Sequence, residues 1–203
     1  MPKITNVEVY GLERAIKTAK YPKSVNLDSL NSDLTRGIQG ILSCNSGEGH
    51  DCALKGIIVQ FDLTFSNKAW VEAERYHWLD FVSSQSTMHK LNKFNIAEQC
   101  NIYVDQRVID VLQEKVDEYN NLLANSKTGE VPQDELKTAR LKMLYNIPSG
   151  FELTAGMTTN YLQLKTIYKQ RRHHALPDWK MFCDWIETLP LFLELTQKEK
   201  NDA

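Results

Sequence analysis

Two hydrophobic periods run along the chain, and between them they predict its elements. Ile57, Val59, Phe61, Leu63 and Phe65 alternate with Gln60, Asp62 and Thr64, which predicts a strand over 54–65 with one buried face. A looser alternation through Ile4, Asn6, Val7 and Val9 predicts a short strand over 4–12. Elsewhere the helical period dominates. Val108, Leu112, Val116 and Leu123 predict an amphipathic helix over 105–126, and "KTGEVPQDE" breaks it and caps the next, 133–145. Leu34, Ile38, Ile41 and Leu42 predict a helix over 32–43 behind a Ser/Asp cap. A helix over 66–82 would offer Trp70, Val71, Ala73, Trp78, Leu79 and Val82 to the core, with His77 in mid-helix. Residues 147–160 read as a turn, a short extended segment and a cap candidate. Helices over 161–174 and 176–190 follow, the first stopped before Pro177, then a last turn or two and a polar tail from about 197 to 203. The sum is one mixed α+β domain over 1–203, helix-dominated, with a small mixed or antiparallel sheet.

Composition adds bounds rather than detail. A chain of 203 residues, 42% hydrophobic and 25% charged, is long enough for a full-sized core. Its formal charge of −2 gives no global attraction to nucleic acid or an anionic membrane, though it leaves room for a local basic pocket. "MPKITNVEVYGLERAIK" lacks the apolar core of a signal peptide and no run approaches bilayer length, so a cytoplasmic protein without membrane contact is expected. Cys44, Cys52, Cys100 and Cys183 form no C-x-x-C and read as free thiols. "CNSGEGHDC" groups Cys44, His50 and Cys52, but a structural zinc site wants paired ligands at short spacing plus a fourth, so no metal is expected.

The chemistry-bearing stretches each admit two readings. Asn160 and Arg171 lie eleven residues apart, about three helical turns, with Leu164 and Ile167 between them. They are either an N-cap and a solvated C-terminal arginine, or an amide and a guanidinium presented to one planar ligand. "KQRRHH" (169–174) is either favourable positive charge at a helix C-terminus or an anion site. "SSQST" (83–87), straight after "YHWLDFV", is either backbone-capping hydroxyls or a ligand-holding loop. No nucleophile elbow is present.

Taken in order, these pieces resemble the flavin-dependent thymidylate synthase family over residues 50–91 and 147–187. That family has a histidine before a strand, then R-H-R-x-x-S-x-N-x-x-S-x-R-Y. Here His50 precedes "GIIVQFDLTF", and "YHWLDFVSSQSTMH" places His77 on the motif histidine and Ser86 on its last serine. "IPSGFELTAGMTTNYLQLKTIYKQR" then places Asn160 and Arg171 on the family's asparagine and substrate-binding arginine, with the spacing preserved. The motif arginines fall on Tyr76, Trp78 and Met88, its first serine on Phe81, and Arg75 lies one position off.

The resemblance implies binding of FAD and a pyrimidine deoxynucleotide resembling dUMP. The implied reaction is reductive methylation with methylenetetrahydrofolate and NADPH as co-substrates, in a homo-oligomer (a tetramer in the family) that does not act on nucleic acid. It implies Arg171 as the catalytic residue orienting the pyrimidine. Ser84, Gln85, Ser86, Arg171 and Arg172 would meet the nucleotide, and His50, Arg75, His77 and Asn160 the flavin. The lost motif arginines leave open a catalytically silent descendant that acts as a nucleotide-binding or protein-interaction module.

Overall fold

A computed structural model describes residues 3–45, 47–126, 129 and 131–198. Strand β1 (Lys3–Tyr10) turns at once into α1 (Leu12–Ala19), a helix the hydrophobic pattern did not separate from its surroundings. The turn is made at Gly11, with φ 79°, where a Cβ would run into the carbonyl oxygen of Gly56. Helix α2 (Arg36–Leu42) starts from Thr35, whose hydroxyl accepts from the Ile38 N–H, rather than from the expected Ser/Asp pair. Strand β2 (Ile58–Ser66) follows a 3-10 turn at Cys52–Gly56. Its alternation is as expected: Ile57, Val59, Phe61, Leu63 and Phe65 are all buried.

The expected helix over 66–82 is instead three elements. Helix α3 (Asn67–Ala73) stops after seven residues, successive turns run through Tyr76 and Leu79, and β3 (Asp80–Ser84) begins. Ala73 and Leu79 are buried, but Val71, Trp78 and Val82 are about two-thirds exposed and His77 lies in the exposed turn. Phe81 and Val82 are strand formers and two serines follow them, so local helix propensity is weak enough for cross-strand pairing to win.

Short helices α4 (Thr87–Lys90) and α5 (Ile96–Gln99) lead to α6 (Gln106–Ser126) and α7 (Gln133–Tyr145). Strand β4 (Glu152–Asn160) runs into α8 (Tyr161–Arg171), followed by α9 (Pro177–Ile186) and α10 (Phe192–Thr196). Helix α8 ends three residues earlier than expected, because the chain tightens into a turn, His174 N–H to Arg171 C=O at 2.9 Å, ahead of Pro177. Most of the expected polar tail, and Ser46 of the glycine-rich loop, lie outside the described residues. The four strands form one antiparallel sheet in the order β1-β2-β4-β3.

Chain contacts fall into two compact units. The first comprises chiefly Thr64–Glu72 and Ser83–Ala155. Its core is Leu91, Ile96, Leu112, Val116, Met143 and Phe151, where α6 packs on α7. The buried stripe of α6 includes Ile109 in place of the expected Val108, which is exposed, because Ile109 keeps the three–four spacing to Leu112 and Val116.

The second unit comprises Ile4–Leu63, Ala73–Val82 and the chain from Gly156 onward. Its core sets Phe61, Trp179, Phe182 and Phe192 around α8, with Phe61 and Trp185 rings 4.6 Å apart. Helix α8 buries Tyr161, Leu164, Lys165, Ile167, Tyr168 and Arg171. The buried Lys165 ammonium donates to three acceptors, Leu42 O at 3.0 Å, Cys44 O at 2.7 Å and Asp51 Oδ2 at 2.6 Å. This uses all three of its protons.

Replacing Lys165 with Met fills the same space but leaves Asp51 buried without its partner. Urea denaturation of Lys165→Met should therefore show a loss of about 3–5 kcal/mol; a loss below about 1 kcal/mol would mean the pair is as weak as a surface bridge.

Candidate functional site

Within the second unit, β4 ends where α8 begins, and the junction opens onto a groove of about 530 Å³. That volume suits a small ligand. Trp78 and Asp80 border it from the turn and the start of β3, Lys55 from the 3-10 turn, and Asn160, Gln163 and Thr166 from the first turns of α8. Ile58 and Leu162 give it an apolar floor. The Trp78 indole is 64% exposed, a large flat surface that the fold leaves uncovered. Its backbone is held in place, since the Thr159 hydroxyl donates to Trp78 O at 2.6 Å. The Asn160 side chain serves first as the N-cap of α8, its amide oxygen accepting from Gln163 N–H at 3.0 Å. That leaves the NH₂ group as the amide's donor.

Arg171 is not part of this groove. Its guanidinium is buried: Nε donates to the Tyr76 hydroxyl at 2.8 Å, and the group lies 4.7 Å from the Trp179 ring and 5.6 Å from the Tyr76 ring. The Tyr76 hydroxyl donates in turn to Gln170 Oε1 at 3.0 Å. A tyrosine where the family motif has arginine thus supplies an acceptor to Arg171, where a second cation would repel it. Asn160, at the head of α8, borders the groove, whereas Arg171, eleven residues on, is buried and does not line it.

The other expected site residues are dispersed. His50, Arg75 and His77 are exposed in turns of the second unit, and none of them lines the groove. Arg172 lies over the Tyr168 ring at 4.8 Å and borders a different cavity. Ser84, Gln85 and Ser86 belong to the first unit. There Gln85 N–H donates to Thr154 O and the Gln85 side chain accepts from Thr154 N–H, both at 2.9 Å, while Ser86 begins α4. The hydroxyl run thus terminates β3 and starts a helix. Trp78, Lys55 and Gln163 were missed. Trp78 stands on a motif arginine position, and a helix over 66–82 would turn it to the core, whereas the turn that forms there exposes it.

Three groups near α8 hold their protons unusually tightly. Burial pushes the Cys183 thiol up to about 11, with the Asp184 carboxylate adding to the effect. The Tyr168 hydroxyl is pushed up to about 12, by burial first and then by its hydrogen bond to Glu187. Burial raises Tyr161 as well.

The chain's three-dimensional likeness to solved proteins is extensive although its sequence likeness is small. No family model matches the sequence, and no curated protein matches it. A crystal structure of thymidylate synthase X from Helicobacter pylori with FAD and dUMP matches with a TM-score of 0.63 at 14% identity, covering 96% of this chain and 96% of that one. A second structure of the flavin-dependent enzyme from the same organism, also complexed with FAD and dUMP, gives 0.62 at 14% identity, covering 95% and 96%.

Because Cys183, Tyr168 and Tyr161 bind their protons more tightly folded than unfolded, their stabilisation is intact below an ordinary thiol pKa near 9 and lost as pH rises through about 11 for Cys183 and about 12 for Tyr168, with Tyr161 following at higher pH. The urea midpoint should fall steeply between about pH 9 and about pH 11; a flat profile would show that these groups ionise as readily in the folded chain. The fold is that of thymidylate synthase X.

Proposed function

We propose that this chain is a nucleotide-binding protein built on the thymidylate synthase X fold, and that the groove at the start of α8 takes a pyrimidine nucleoside or nucleotide against Trp78. One observation carries the reading: an exposed indole in a ligand-sized groove edged by amide, hydroxyl, ammonium and carboxylate groups. A base stacked on an aromatic ring contributes about 1–3 kcal/mol. Asn160, Gln163 and Asp80 supply donors and acceptors suited to a pyrimidine edge, and Lys55 the single positive charge.

FAD fits the same groove poorly. Its diphosphate calls for clustered cations, whereas Lys55 is balanced by Asp80 and the motif arginines are Tyr76, Trp78 and Met88. With Arg171 engaged in the core, the groove binds and does not methylate. The second reading is a thymidylate synthase-like enzyme using FAD, NADPH and methylenetetrahydrofolate on dUMP, with Arg171 orienting the pyrimidine. It is favoured by the likeness over nearly the full chain and by the preserved spacing of Asn160 and Arg171. Under either reading the exposed aromatics suit a homo-oligomer of cytoplasmic chains.

Titrating deoxyuridine, dUMP and FAD against the protein while following tryptophan fluorescence and the visible spectrum tests this. Deoxyuridine or dUMP should quench the emission, Trp78→Ala should weaken their binding at least about tenfold, and no flavin should bind. Unchanged affinity in Trp78→Ala would overturn the groove assignment. A yellow protein that forms thymidylate from dUMP in the complete mixture would establish the second reading instead.

A further inference from the structure

The other side of α8 borders a second cavity in the same unit, of about 330 Å³, and it shares no lining residue with the Trp78 groove. Four of its lining residues are cations, Lys165, Lys169, Arg172 and Lys198, and among the described residues no aspartate or glutamate lines it. In a chain of net charge −2 this is a local excess. Lys165 is committed to Asp51 and two carbonyls, so it anchors the wall at Cys44 and does not serve a ligand. That leaves Lys169, Arg172 and Lys198, all exposed at the mouth, to act outward.

Two features distinguish the cavity from scattered surface charge. Arg172 is pre-positioned by stacking over Tyr168, whose hydroxyl is itself fixed on Glu187. A guanidinium held flat by a ring loses less freedom on binding and keeps its donor fork available for an oxyanion. Neutral hydrogen-bonding groups complete the wall at Ser43, Asn45 and Gln197. Nearby carboxylates stand outside the lining. Glu48 is held by Asn45 and feels Lys198 and His50, and Glu194 borders an adjoining cavity with Arg36.

We infer that this cavity is a binding site for a small polyphosphorylated ligand, of the nucleoside di- or triphosphate class, with Arg172 as its bidentate anchor and Lys169 and Lys198 as point charges. The volume admits a short phosphate chain, and the three outward cations match its charge and favour an anion over a divalent cation as the ligand. The inference is independent of the Trp78 groove, because the residues are disjoint.

Isothermal titration of the whole protein with inorganic triphosphate, without added metal, tests the site. One triphosphate per chain is expected. Its affinity should fall at least about tenfold in Arg172→Ala and about as much in Lys169→Ala/Lys198→Ala, weaken with added salt, and be unchanged in Trp78→Ala. Circular dichroism confirms that each variant is folded, and Arg172→Lys should recover only part of the affinity because the fork is lost. No heat at millimolar triphosphate would overturn the inference. So would binding indifferent to Arg172, or tight binding of a single-stranded oligonucleotide with none of triphosphate.

Discussion

The Lys165 ammonium is the interaction on which the packing of the second unit depends. It enters the interior on one side of α8 and gives its three protons to the end of α2, the segment after it and the Asp51 carboxylate. A lone buried ammonium would be prohibitive, but one with a carboxylate and two carbonyls is satisfied in full. Because the acceptors come from segments more than a hundred residues away in sequence, this contact sets the roll of α8 about its own axis. With Lys165 inward, Gln163 and Thr166 face the groove and Lys169 and Arg172 the basic cavity. Arg171 joins the buried side.

That roll explains why one helix carries so many different chemistries. At 100° per residue, neighbouring arginines diverge: Arg171 is stacked among Tyr76 and Trp179, and Arg172 lies outward on Tyr168. The aromatic partners matter as much as the charges. Arginine tolerates burial against rings because its guanidinium is planar and weakly hydrated, and Tyr76 turns this tolerance into a fixed position by accepting from Nε. The Tyr76 hydroxyl thus secures Arg171 in the core without placing a second cation beside it. Trp78, two residues on, presents an exposed flat surface.

Likeness to thymidylate synthase X at 14% identity shows one fold reached by very different sequences. Burial on β2, the capped start of α8 and the aromatic cluster around α9 are packing requirements that many sequences satisfy. Polar surface residues carry no such constraint, so function has to be argued from the groove and not from the architecture.

Legibility followed the range of the forces involved. The alternation of Ile57 to Phe65 and the helices over 106–126 and 133–145 were readable because each is dictated by its own residues: one buried face, and clear breaks at either end. The Asn160 cap was readable for the same reason. By contrast, residues 74–84 turn and then pair with β4 because backbone groups and the Gln85 amide find partners on Thr154, seventy residues away. No local period records that pairing, and a run that looks helical became a strand. The sequence by itself determined the buried face of β2, the extents of the helices over 106–126 and 133–145, and that Asn160 and Arg171 keep a fixed separation. Only the tertiary structure decided that Arg171 is turned into the core, Trp78 out of it, and Arg172 towards a basic cavity. The roll of α8 is set by a buried ammonium and an aromatic cluster whose members are adjacent only after folding.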